Sequence, residues 1–230
     1  MRGWELMKAK TLLFGAAIAI ALTSTAAVAN VVVVKSFGPS SKAYPPGKTF
    51  PAATKISLQG GDVVTILGPG SAKTFRGPGN FDTTQISLDS AASQRGRFGA
   101  MRTGKVARSP SIWDIDVTQS GKVCVVDAKK LQLWRPDSGA EEAVEIRSAD
   151  GQAQKLVWAR GKALAGWPSA LRLKSEGKYE IASTVRPDKS NLEVVTLKSV
   201  PTDPVAVAQM LIANGCQNQL DMLVAEAAKK

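Results

Sequence analysis

The sequence predicts a mainly β protein: a small N-terminal β-domain, a β-sandwich-like second domain and a C-terminal helical hairpin. Three observations carry this. Short runs rich in β-branched residues alternate with Gly and Pro at intervals too short for helices. Between two such stretches the composition shifts to Ala, Ser, Gly and Arg. Near the C-terminus the apolar residues change to a spacing of three and four. The resulting division of the 230 residues is a leader over 1–29, the N-terminal β-domain over 30–89, a basic linker over 90–110, the sandwich-like domain over 111–200 and the hairpin over 201–230.

In chain order, Val31-Val32-Val33-Val34 is strand-like, and the Gly/Pro-rich stretch from Gly38 to Gly47 reads as an extended surface segment. Lys55 to Leu58 and Asp62 to Leu67 read as strands joined by Gly60-Gly61. Ala72 to Arg76 is a third, and Gly68-Pro69-Gly70 and Gly77-Pro78-Gly79 punctuate a meander. The stretch GPGSAKTFRGPG, residues 68–79, superficially resembles a phosphate-binding loop. Lys73-Thr74 has the right ending, but Ala72 stands where the second glycine belongs, and Gly68 is one place out of register. Such a loop must also open a helix, and Gly77-Pro78-Gly79 forbids one. No nucleotide site is expected here.

The run Leu58-Gln-Gly-Gly-Asp62-Val-Val-Thr-Ile66, followed by Ala72-Lys-Thr-Phe-Arg76-Gly-Pro-Gly79, resembles the strand pairs of FecR-like periplasmic domains. The resemblance covers about residues 50–85 and departs from the family where Arg76-Gly77-Pro78-Gly79 replaces its usual Asp-Gly-Ser turn. It implies a small extracytoplasmic β-domain that meets other proteins or envelope components. No FecR cytoplasmic segment accompanies it.

In the second domain Ile112–Val117, Val123–Val126, Leu131–Trp134, Ala143–Ile146, Lys155–Trp158, Tyr179–Ile181 and Leu192–Leu197 read as strands. Ser120-Gly121, Asp150-Gly151 and Glu176-Gly177 mark turns between them, a spacing that suits a sandwich or small barrel. Trp113, Trp134, Trp158 and Trp167 then belong to the core or a sheet face. Thr202 or Asp203 caps a helix with Pro204 near its first position, Gly215 ends it, and a second helix follows from Gln217. Val207, Met210 and Leu211, then Leu220, Leu223 and Val224, give each helix one apolar face.

Arg2, Lys8 and Lys10 precede an uncharged run from Thr11 that reaches the small-residue site Ala27-Val28-Ala29, the layout of a secretory signal. Cleavage there starts the mature chain at Asn30 and makes the protein periplasmic or secreted. The alternative is an uncleaved anchor, since the uncharged run continues through Val34. Either reading gives Cys124 and Cys216, the only two cysteines, an oxidising compartment and predicts a disulfide that pins the hairpin to the second domain.

The chain has no histidine, which excludes Ser-His-Asp, Cys-His and His-metal chemistry and leaves only carboxylate or lysine catalysis. Ser175-Glu-Gly-Lys178 matches the Ser-x-x-Lys spacing of a serine acyl-transfer site but falls in a turn rather than at a helix start. Asp114 and Asp116 alternate onto one strand face and read as solvated rather than as a catalytic or calcium pair. No catalytic residue, cofactor or metal is therefore assigned; a hydrolase built on Asp or Ser/Lys is the remote alternative.

What remains is charge. Without Arg2, Glu5, Lys8 and Lys10, the 30 basic and 19 acidic residues become 27 and 18, a net +9. Arg95, Arg97, Arg102, Lys105 and Arg108 sit in the linker with no acidic residue among them, as a candidate anion-binding segment. Export and the scarcity of aromatics there argue against nucleic acid. The expectation is an accessory or adaptor protein that contacts an envelope protein, with an anionic envelope polymer or lipid headgroup as the alternative partner.

Overall fold

The computed structural model describes residues 30–84, 86 and 108–229. The protein is mainly β, and the described residues form four sheets and two C-terminal helices. The first sheet has the order β2-β1-β4-β5, from β1 (Asn30–Phe37), β2 (Thr49–Pro51), β4 (Val63–Leu67) and β5 (Ala72–Arg76). A two-stranded ribbon, β3 (Lys55–Leu58) with β6 (Gly79–Asp82), packs against it. Val31 and Val33 face that ribbon in a core with Ile56, Leu58, Val64, Ile66 and Phe75. Val32 and Val34 point the other way, into a second core with Leu67 and the C-terminal helices. A strand covered on both faces needs apolar residues without alternation, which explains the four-valine run.

Two expectations change here. Strand β3 does not pair with β4: the ladder runs Lys55 to Asp82 through Leu58 to Gly79, so the chain switches sheets after β5 rather than continuing a meander. The segment after Gly38 is not wholly extended, because Pro39–Lys42 forms a 3-10 turn whose Ser40 N–H is held by the buried Asp62 carboxylate at 2.9 Å. Lys73 and Thr74 lie within β5, on a hairpin strand and not at a helix start.

The second module is a sandwich. Its larger sheet has the order β11-β10-β13-β14-β8, from β8 (Gly121–Val125), β10 (Glu142–Ser148), β11 (Ala153–Trp158), β13 (Lys178–Ser183) and β14 (Ser190–Thr196). The smaller has β12-β9-β7, from β7 (Ile115–Asp116), β9 (Gln132–Trp134) and β12 (Leu164–Gly166). One core fills the space between, with Ile115, Leu133, Val144, Ile146, Trp158, Tyr179, Ile181, Leu192 and Val194. The predicted strand over Ile112–Val117 shrinks to two residues because Asp114 folds back, accepting from the Ser109 hydroxyl at 2.6 Å and the Ser111 N–H at 3.2 Å. Asp116 likewise holds the Thr118 N–H and hydroxyl. The two carboxylates stabilise separate turns and do not form a pair.

Helix α1 (Pro204–Asn214) starts as its sequence dictates, with Asp203 accepting from the Ala206 N–H at 3.0 Å, and Gly215 ends it at φ 71°. Helix α2 (Gln217–Ala227) follows at once. Cys216 between them bonds to Cys124 on β8, with Cα atoms 5.8 Å apart and both residues wholly buried. The hairpin is more than an appendage of the second module. Val205, Val207, Leu211 and Leu220 share one core with Val32, Val34 and Leu67 of the N-terminal sheet and with Cys124.

Candidate functional site

The pleat that sends Val144, Ile146, Ile181, Leu192 and Val194 into the sandwich core sends their neighbours onto the opposite face of the larger sheet. Pairing then sets those neighbours in rows. Arg147 lies opposite Glu180, and Glu180 opposite Asn191; Lys178 lies opposite Glu193, and Glu193 opposite Lys122. Cations and anions therefore face each other across neighbouring strands. At the β8 end this face is covered by the helices. Toward the β10–β11 turn it is an open groove of about 560 Å³, walled by Lys122, Arg147, Lys178, Glu180, Asn191 and Glu193.

Most of these charges are already balanced. Lys122 reaches Glu193 at 3.1 Å, Lys189 reaches Glu180 at 2.9 Å, and Arg147 pairs with Glu145. Lys178 has no ion-pair or side-chain hydrogen-bond partner among the described residues. At the rim, hydrogen bonds from Lys174 and Ser148 hold the Asp150 carboxyl down at about 2, so it stays ionised at any ordinary pH.

A second charged cluster is closed rather than open. Glu142, 5% exposed, accepts from Arg135 at 3.4 Å, from Arg186 at 3.1 Å and from the Ser183 hydroxyl at 2.6 Å. Arg135, 2% exposed, also donates to the Ala159 and Lys162 carbonyls and lies over the Trp158 ring. Every strong acceptor in the cluster is engaged, and its role is to tie β9 and β10 to the loop after β13.

Of the residues singled out in the sequence, Cys124 and Cys216 form the disulfide. Arg108 is exposed, with no ion-pair partner among the described residues, at the edge of a shallow cleft that includes Asp116 and Asp221. Arg95, Arg97, Arg102 and Lys105 lie outside the described residues. Ser175 is in the turn before β13, whose first residue is Lys178. Among the four tryptophans, Trp134 and Trp158 are buried, and Trp113 and Trp167 are half-buried against the cores. The groove residues were missed although their signal is present: Lys178-Tyr-Glu180, Glu145-Ile-Arg147 and Asn191-Leu-Glu193 are alternating strands whose polar positions were not read together.

Among the described residues no three His, Cys, Asp or Glu side chains are grouped to hold a metal, and no helix is long and apolar enough to cross a membrane. Comparison with protein-family models, with curated proteins and with solved structures gives no match.

Proposed function

We infer that this chain is an exported, non-catalytic accessory protein that acts by protein–protein contact, with the outer face of the larger sheet as its contact surface. The open groove of alternating charge carries the reading. Glu180 and Glu193 stand among its cations, which suits a folded or extended protein partner with complementary charges better than a polyanion. The buried disulfide fits an oxidising compartment. Strand β1 begins at Asn30, the residue that follows the candidate cleavage site, so cleavage would leave every described residue in the mature chain. Val31 to Val34, the last apolar residues of the alternative anchor, are strand and not membrane helix. The FecR-like strand pairs of residues 50–85 agree with the same reading.

The test uses the protein in its own cell, with a photo-crosslinking residue in place of Lys178 or Asn191. Discrete protein adducts are expected at both positions. Adducts only with lipid or polysaccharide, or none, would remove the reading. The second reading, an anionic envelope polymer held by Arg95, Arg97, Arg102, Lys105 and Arg108, is favoured by the exposed, unpaired Arg108. Vesicle or lipopolysaccharide binding that fades with salt and is lost when all five become Gln would support it.

A further inference from the structure

The two edges of the larger sheet are treated differently. At β8 the Gln219 side chain, buried under α2, acts as a substitute strand: its carbonyl accepts from the Cys124 N–H at 2.7 Å, and its amide donates to the Cys124 and Ile112 carbonyls at 2.9 and 3.0 Å. That edge is sealed. At the other edge β11 pairs only with β10 among the described residues.

The register shows which backbone groups are left over. Ser148 donates its N–H to Gln152, and on its other side β10 bonds through Ala143 and Ala149 to the β13 segment. With Ile146 opposite Gln154 and Val144 opposite Leu156, the even-numbered residues of β11 face β10. The N–H and C=O groups of Ala153, Lys155 and Val157 therefore point outward, away from the sheet. Val157 is 57% exposed, and Leu156, on the core side, is only partly covered.

The surrounding charge is one-sided. From Gly151 to Ser175 the chain carries Lys155, Arg160, Lys162, Arg172 and Lys174 and no acidic residue. Lys174 is tied to Asp150, but Lys155, Arg160 and Lys162 are exposed without an ion-pair partner among the described residues. Glu145, opposite Lys155 on β10, is held by Arg147.

We propose that the β11 edge captures an extended acidic segment of a partner protein by strand addition, a proposal that rests on the protein-contact reading above. Main-chain bonds to Lys155 and Val157 supply the attachment, and side chains supply the choice. In antiparallel register the segment places an apolar residue beside Val157 on the outer face, another beside Leu156 on the core side, and a carboxylate beside Lys155. A second copy of this chain is disfavoured as occupant, because self-pairing would set two such cationic edges together.

A fluorescein-labelled peptide Thr-Val-Val-Glu-Thr-Glu-Thr is the probe, titrated into the mature, disulfide-bonded protein at low salt. Saturable binding is expected, and none to the same peptide N-methylated on alternate amides, which keeps its charge but loses its donors. Val157→Pro removes one outward N–H and leaves the β10 ladder intact, so affinity should fall about tenfold, the worth of one backbone hydrogen bond. Lys155→Glu should weaken this peptide and favour one with Lys for Glu. The absence of saturable binding overturns the proposal. So does equal binding of the N-methylated peptide, which would mark a plain polyanion surface. Crosslinks to protein in the groove without peptide capture at β11 would overturn this proposal alone and leave the protein-contact reading standing.

Discussion

Asp62 is held where a side chain on its neighbour would not fit. Gly38 has φ 99°, and a Cβ there would lie 2.5 Å from the Asp62 carboxylate, which itself accepts from the Ser40 and Gln59 N–H groups. Burial pushes this carboxyl up, but the hydrogen bonds from Ser40 and Gln59 outweigh it and leave it below the ordinary carboxylate value. A group lowered in the folded state adds stability above its unfolded value, about 3.9, and loses it as pH falls through the folded one. The melting temperature should therefore fall on acidification below about pH 4, with Asp82 and Asp150, also lowered, adding their share. Asp62→Asn should melt lower at neutral pH and show a shallower acid slope; an unchanged slope would mean that Asp62 is not the linked group. Glu142 makes a separate prediction. Replacing it with Gln leaves the Arg135 and Arg186 guanidinium groups without their shared anion, Arg135 in a buried position, and should cost about 3–5 kcal/mol in denaturant unfolding.

At the scale of elements, the disulfide joins β8 to the start of α2 across 92 residues of sequence. In the chain-entropy account a bridge of that span stabilises by about 4–5 kcal/mol. Since both cysteines are wholly buried, a thiol reagent should find nothing in the native protein, and two thiols only after unfolding and reduction. Two reactive thiols after unfolding without reductant would contradict the bridge. The hairpin was largely legible in advance because its signals are local: Asp203 and Pro204 begin its first helix, and Gly215 ends that helix before the second. Strand positions were legible for the same reason, from Gly-Pro-Gly turns and apolar runs. Partner choice was not, because the ladder of β3 with β6 joins residues that no turn connects directly. The three-residue strands β2 and β12 are too short for a period to show. Gln219 gave no signal either: a glutamine on a helix reads as solvent-facing until the strand edge above it is known.

Across the whole molecule, the core shared by the hairpin and both β-modules changes what the basic segment over 90–110 can do. In the sequence that segment separates two β-rich parts, and cutting it should release them, since Cys124 and Cys216 both lie downstream. The packing of Val32, Val34 and Leu67 against Val205, Val207, Leu211 and Leu220 leads to a different result. Trypsin should cut first among Arg95, Arg97, Arg102, Lys105 and Arg108, an arginine- and lysine-rich run that no acidic residue interrupts. On a denaturing gel without reductant the nicked protein should give two bands. By size exclusion in native buffer the same sample should elute as one species, because apolar burial and not the connecting peptide holds the N-terminal sheet to the helices. Val34→Asp puts an unpaired charge into that shared core and should let the nicked halves separate, whereas Phe37→Asp, at an exposed position on the same strand, should not. Wild-type halves that part after nicking without denaturant would show that the two β-modules are independent and that the hairpin belongs to the second alone.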